Sequence, residues 1–410
     1  MLYSNEIVFR GHPDKVCDQI SDALLDEYLS HDKHSRCGIE VCGGKSKIFI
    51  TGEVTSSYKV DVEKVVKRVL KDVGYNEEYE IINDLGVQSK DIALGTNDIV
   101  GGAGDQGQMF GYAVNDNDYY LPTAMVILQE LSIEYDKLRK KDSRFKSDGK
   151  AQITGYYDED MKLTSIKEFT ISYQNTELER DKTDKIIKKI ITNICNKYNI
   201  KVEKFLINPT GKFEIGGFMG DAGLTGRKIL VDNYHSFSYV GGGAFSGKDP
   251  TKVDRSAAYK ARLIAVDYLK KYNLNWCQVQ ISYAIGISKP LSIMIKSDIG
   301  ILNVDDSLYE ECEQKNIIKD LNLLNKCYYD TSKYGHFIGS SNLIDEFDKL
   351  AIFANEYSKM SDKQIKERVK KRDELLDKMS KEELEILLNR NYMGQYKIKL
   401  KKYLDKYIDN

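Results

Sequence analysis

Three times along the chain the spacing of apolar residues passes from helical to alternating and back again. Apolar positions three and four apart line one face of a helix, whereas alternation sends every second side chain to one face of a strand. The first copy opens at Val16-Cys17-Asp18-Gln19-Ile20, alternates through residues 38–57 and regains helical spacing at Val62-Glu63-Lys64-Val65-Val66. The second begins at Thr123-Ala124-Met125-Val126-Ile127. It has strands around Ile153 and Phe169 either side of the acidic turn Asp158-Glu159-Asp160, and a helix from Lys185 to Ile191. The third starts at Ser256-Ala257-Ala258, pairs residues 279–283 with 291–295 across a turn at Ser288-Lys289-Pro290, and becomes helical after Asp305-Asp306.

Each copy predicts a hairpin between two helices, and a hairpin has an apolar face that helices must cover. The expected architecture is therefore α+β, with units at 1–110, 111–235 and 236–357 and strands that interleave between them. A charged helical extension is expected over 358–410, where Ser361-Asp362-Lys363-Gln364 and Ser380-Lys381-Glu382-Glu383 are capping boxes.

Composition narrows the picture by exclusion. A chain of 410 residues with 41% apolar and 30% charged residues has ample core. Its formal net charge of -2 offers no general attraction to nucleic acid or membrane, so any anion site must be local. No basic leader or long apolar run is present, which predicts a cytoplasmic protein. The seven cysteines are scattered and form no C-x-x-C pair, so neither disulfides nor structural zinc is expected.

The candidate chemistry is concentrated in glycine-rich, charged words. Residues 241–255, GGGAFSGKDPTKVDR, set a glycine arch beside two lysines, two aspartates and an arginine. Glycines allow close backbone approach, lysines match phosphate oxygens, and carboxylates that share a site with phosphates suggest Mg²⁺. Gly242 to Lys248 has P-loop spacing, yet Asp249 stands where a P-loop needs a hydroxyl for the metal. Gly11-His12-Pro13-Asp14-Lys15 opens a helix whose polar face carries Asp18 and Asp22, and Arg227-Lys228 forms a second cationic pair.

Together GHPDK (11–15), GAGDQG (102–107), INPTGKF (207–213), GGFMGDAGLTGRK (216–228), the word at 241–259 and YGHF (334–337) closely resemble the S-adenosylmethionine synthetase family. The resemblance spans roughly residues 3–338. It implies three similar domains, each a mixed sheet covered by helices, in pseudo-threefold arrangement. It also implies condensation of ATP with L-methionine by in-line attack of the thioether sulfur on ribose C5′, releasing triphosphate that is cleaved to pyrophosphate and phosphate. Homodimers or homotetramers with sites between subunits are implied, as are two Mg²⁺ per site and one K⁺ per subunit.

Carried over residue by residue, His12, Lys150, Arg227, Lys228 and Lys248 would hold the polyphosphate, with Asp105 as a further catalytic position. Asp148, Lys212, Phe213, Asp221 and Ala244 would line the nucleotide. Glu53, Gln88, Asp105, Asp221 and Lys252 would meet methionine. Asp14 and Asp254 would ligate Mg²⁺, and Glu40 would ligate K⁺. The chain departs from the family at Arg10, where a Glu normally precedes GHPDK, and in a shortened lid after Gln88. Arg10 reads as an added phosphate contact or a change of substrate. A nucleotide-binding subunit without turnover and a transferase with another acceptor stay open on the residues alone.

Overall fold

The computed structural model describes residues 1–88, 102–176 and 180–338. The shortened lid and the capping-box extension lie outside the described residues. In chain order the elements begin β1 (Leu2–Val8), α1 (Pro13–His31), β2 (Arg36–Gly44), β3 (Lys47–Thr55), α2 (Val62–Val73) and β4 (Glu80–Gly86). Next come β5 (Gly107–Val114), α3 (Thr123–Arg139), β6 (Phe145–Tyr157), β7 (Leu163–Asn175), α4 (Arg180–Lys197) and β8 (Val202–Ile207). The last are β9 (Gly223–Leu224), α5 (Val253–Tyr272), β10 (Trp276–Tyr283), β11 (Ser292–Ser297), β12 (Gly300–Leu302), α6 (Asp306–Glu311), α7 (Gln314–Asp320) and α8 (Tyr328–Tyr334).

The three hairpins are β2–β3, β6–β7 and β10–β11, and each is the centre of a four-stranded sheet. α1 covers the first with α2 packed against it, α3 and α4 cover the second, and α5 the third. Local chemistry sets the element ends. Asp61 caps α2 by accepting from the Lys64 N–H, Gly74 ends it at φ 91°, and its valine and leucine stripe from Val62 to Val73 is buried. In the β6–β7 turn, Asp158 Oδ1 accepts from the N–H groups of Asp160 and Lys162 at 3.0 and 2.8 Å.

The strand beside each hairpin's first strand arrives from a different part of the chain. β1 pairs with β6, β5 with β10 and β9 with β2, all antiparallel. Each of these donated strands precedes the next helix–hairpin copy, so the donations run in a ring and tie the three units together in pseudo-threefold fashion. Consequently none of the stretches 1–110, 111–235 and 236–357 completes a sheet alone. On the far edges, β4 and β8 lie parallel to β3 and β7 because a helix carries the chain back, as parallel pairing requires. The third sheet differs: β12 follows β11 directly and pairs antiparallel, so that sheet is antiparallel throughout.

An apolar core lies between the second sheet and its helices and includes Phe9, Tyr135, Phe145, Phe169 and Tyr173. Among the described residues no helix is long and apolar enough to cross a membrane. All seven cysteines are free thiols.

Candidate active site

The ring of donated strands decides where the charged words meet. GHPDK follows β1, GAGDQG leads into β5, and Arg227-Lys228 follow β9, so each word sits where one sheet's strand crosses to another. α1 is the common support. From Pro13 to Leu25 it is buried on every side, so Asp14, Asp18 and Asp22, four residues apart on one face, do not meet solvent. That face was expected to be an ordinary polar one. Instead its carboxylates hold loops: Asp14 Oδ1 accepts from the Leu224 N–H at 3.0 Å, Asp18 Oδ1 from Gly226 at 2.9 Å, and Asp22 Oδ1 from Gly247 at 2.9 Å.

One cluster surrounds Asp14. Lys228 Nζ binds its Oδ2, and Arg227 Nε stands 3.4 Å from Oδ1. His12 caps α1, accepting the Asp14 N–H on Nδ1 at 3.2 Å. Burial first and the Lys228 charge second lower its pKa to about 4, with Lys150 adding and Asp14 and Asp221 opposing. The ring is therefore neutral at pH 7. Because Nδ1 accepts, its proton is on Nε2. Asp148 is buried beside this cluster, accepts from the Gly217 N–H at 2.8 Å, and has its pKa pushed up to about 6 by burial, with Asp221 adding. Lys150 itself pairs with Glu6 across β1 and β6 at 2.5 Å.

A second cluster forms at the arch. Lys248 Nζ binds Asp254 Oδ2, and burial raises the Asp254 pKa against Lys248, with Asp105 adding to the rise. Gly243 passes directly against this carboxylate, since a Cβ there would lie 2.1 Å from the Asp254 carboxyl carbon. Glu40 points outward from β2. Its pKa is raised by burial first and by Asp18, against the nearby Lys248. The two clusters are neighbours. At Gly226, φ 79°, an added Cβ would come within 2.7 Å of the Ala244 Cβ, so the loop bearing Arg227-Lys228 packs on the arch.

The remaining predicted residues take other places. Lys252 pairs with Asp249 at 3.1 Å, both side chains buried, and despite its burial Asp249 is held below the usual carboxylate range by the Lys252 and Arg36 charges. Glu53 faces Gly38 across the β2–β3 register, and Gly38 in turn bridges Lys248. Lys212 reaches Glu214 at 2.9 Å on an exposed loop, and the Phe213 carbonyl accepts from the Asn175 N–H. Gln88 lies two residues past β4, and among the described residues neither it nor the Phe213 side chain joins the lysine–aspartate pairs.

Arg10 requires a correction. Its guanidinium turns away from the phosphate words into a buried cluster, with Nε 2.7 Å from Gln19 Oε1, Nη1 3.5 Å from Asp136, and Nη2 bound to Asp72 and 2.6 Å from the Tyr329 hydroxyl. With those partners the guanidinium is not among the cations gathered around Asp14 and Asp254. Arg10 answers two carboxylates that sequence reading did not connect with it, because α2 and α3 bring them from 62 and 126 residues away. Lys15, expected with the rest of GHPDK to meet phosphate, is instead buried and pairs with Asp232 at 2.6 Å, while reasoning from sequence missed Tyr75, whose hydroxyl binds the Gly11 carbonyl at 2.8 Å.

Models of the S-adenosylmethionine synthetase N-terminal, central and C-terminal domains match residues 1–92, 100–213 and 215–349. The chain belongs to the S-adenosylmethionine synthetase family. It is 39% identical over 372 residues to the S-adenosylmethionine synthase of Clostridium tetani, covering 82% of this chain and 94% of that protein. It is 41% identical over 354 residues to that of Mycoplasmopsis synoviae, covering 82% and 92%, and 40% identical over 383 residues to that of Staphylococcus epidermidis, covering 85% and 95%. Membership makes the chain a transferase that forms S-adenosylmethionine. In this chain the three matched segments each give their first strand to another segment's sheet: β1 to the central, β5 to the C-terminal and β9 to the N-terminal one.

Proposed function

We propose that the chain condenses ATP with L-methionine: the thioether sulfur attacks ribose C5′ in line, the bond from C5′ to the triphosphate oxygen breaks, and water then cleaves triphosphate to pyrophosphate and phosphate. The carrying observation is the pair of half-buried lysines, Lys228 and Lys248, each resting on an aspartate in loops that pack together. A thioether needs no protein base, so the work lies in orienting it and stabilising a departing polyanion. Lys150, Arg227, Lys228 and Lys248 suit that task. His12 offers its Nε2–H to the oxygen that leaves C5′.

Asp14 and Asp254 fit Mg²⁺, which is typically held by one or two carboxylates, waters and substrate phosphates. Each aspartate would release its lysine to a phosphate oxygen. Bound there, Mg²⁺ would neutralise charge on the leaving triphosphate. Glu40 is an outward carboxylate whose charge is already disfavoured, which suits K⁺. Asp148, Lys212, Phe213, Asp221 and Ala244 are assigned to the nucleotide, and Glu53, Gln88, Asp105, Asp221 and Lys252 to methionine. The site is completed between subunits of a homodimer or homotetramer, a reading supported by the open sheet faces, where Phe49 and Leu224 stand exposed either side of Cys42.

The test incubates the chain with ATP, methionine, Mg²⁺ and K⁺. S-adenosylmethionine should appear with equimolar pyrophosphate and phosphate. Nucleotide binding without product, or product only with another acceptor, would overturn the assignment.

A further inference from the structure

The arch carries Lys248, and a buried side-chain relay beneath it decides where that lysine stands. Asp22 and Arg255 form an ion pair at 2.7 Å with both side chains wholly buried. The remaining Asp22 oxygen accepts from the Gly247 N–H at 2.9 Å, and Arg255 Nη1 donates to the Lys248 carbonyl at 2.9 Å. One ion pair thus grips the backbone on both sides of the Gly247–Lys248 bond. Gly247 sits at φ 82°, and a Cβ there would lie 2.0 Å from the Ile39 carbonyl oxygen. The arch therefore follows its anchors closely.

The relay continues outward. Arg255 Nε donates to the Tyr259 hydroxyl at 3.1 Å, which lies 2.8 Å from His336 Nδ1. Arg255 can only donate, so the Tyr259 oxygen accepts that bond and its own hydrogen is free for His336. Phe245, at the start of the arch, packs edge-on to His336 with ring centroids 4.8 Å apart, and the guanidinium lies over Tyr328, 4.3 Å from its centroid. Each guanidinium nitrogen has a partner of its own. YGHF, a word with no role in the chemistry above, supplies the far end of this relay.

We propose that Arg255 is a positioning residue for S-adenosylmethionine synthesis, setting the reach of Lys248 over the polyphosphate through Asp22 and the Tyr259–His336 pair. The inference rests on the reading of Lys248 as a polyphosphate ligand. Arg255 touches no substrate. Lysine at this position keeps the charge opposite Asp22, but one ammonium cannot hold Asp22, the Lys248 carbonyl and Tyr259 in the guanidinium's fork.

The experiment measures kcat, both KM values, and calorimetric affinity for inorganic triphosphate with Mg²⁺ in Arg255→Lys, Tyr259→Phe, Lys248→Ala and the Arg255→Lys/Lys248→Ala double variant. Arg255→Lys should lose about tenfold in kcat and in triphosphate affinity, the order expected for one displaced hydrogen-bonded contact, with KM for methionine unchanged. Tyr259→Phe should move both in the same direction. The double variant should be no worse than Lys248→Ala, since both changes act through one contact. A merely structural residue would lower the melting temperature and leave the triphosphate affinity of folded protein alone. Normal triphosphate affinity in Lys248→Ala removes the reading of Lys248 itself. Loss in Lys248→Ala with wild-type kcat and affinity in Arg255→Lys overturns the positioning role alone. Should Arg255→Lys not fold, wild-type values in Tyr259→Phe overturn it.

Discussion

Lys228 rests on Asp14, which the Leu224 N–H also holds, and Lys248 rests on Asp254 in the first turn of α5, so both cations stand beside the proposed metal carboxylates before any ligand arrives. Asp14 keeps its bond from the Leu224 N–H if one oxygen becomes an amide, yet it loses the charge that metal and lysine share. Asp14→Asn should therefore fold normally and lose roughly 10²- to 10³-fold in turnover. Near-normal synthesis by that variant would refute its metal role. Asp148 tests burial instead. Its folded pKa, about 6, lies above the ordinary value of 3.8, so between those values the native state holds a proton that the unfolded chain has lost. Folding is favoured as pH falls through 6, and the ionised carboxylate costs stability above it. Asp148→Asn removes that cost and retains an acceptor for Gly217. In urea unfolding at pH 8 it should be more stable than wild type by no more than about 3 kcal/mol, and the gain should vanish near pH 4. An equal gain at both pH values would contradict burial as the cause.

At the scale of elements, α1 joins fold and site, because its buried acidic face is satisfied only by loops from distant sequence. Arg10 occupies the turn just before it and is held on Asp72 of α2 and Asp136 of α3, while Asp136 also takes Arg139 at 2.5 Å and the Tyr334 hydroxyl at 2.8 Å. A glutamate at position 10, usual in the family, would meet two carboxylates, the buried Asp136 and the partly exposed Asp72. Arg10→Glu should cost roughly 3–5 kcal/mol in urea unfolding, the range for breaking a buried pair. The Arg10→Glu/Asp72→Lys double variant should recover a substantial part of that loss. Additive losses would show that the two side chains do not answer one another.

At the scale of the molecule, the three sheets exchange strands in a ring and present open faces bearing Phe49, Leu224, Met294 and Ile301. Apolar side chains exposed on strands among the described residues suit burial against a second copy. Light scattering at micromolar concentration should give the mass of two or four chains, and a monomer at that concentration would refute a site shared between subunits.

Period and turn chemistry made the helices and the central hairpins legible, since these depend on neighbours a few residues away. Asp158 turning β6 into β7 and the Val62 to Val73 stripe are examples. Interleaving was expected, but which strands are donated, and to which sheet, was not legible. β1, β5 and β9 have partners more than a hundred residues distant, and β9 is only two residues long. The glycine, lysine and aspartate words pointed to the phosphate chemistry, because residue type alone constrains which groups can meet a polyanion. Tertiary structure decided what each charge does. It turned Arg10 inward and Lys252 onto Asp249, and made Asp18 and Asp22 anchors and Arg255 a support for Lys248. The reason is that a charge's role is set by the partner within a few ångströms, and here that partner comes from another segment of the chain.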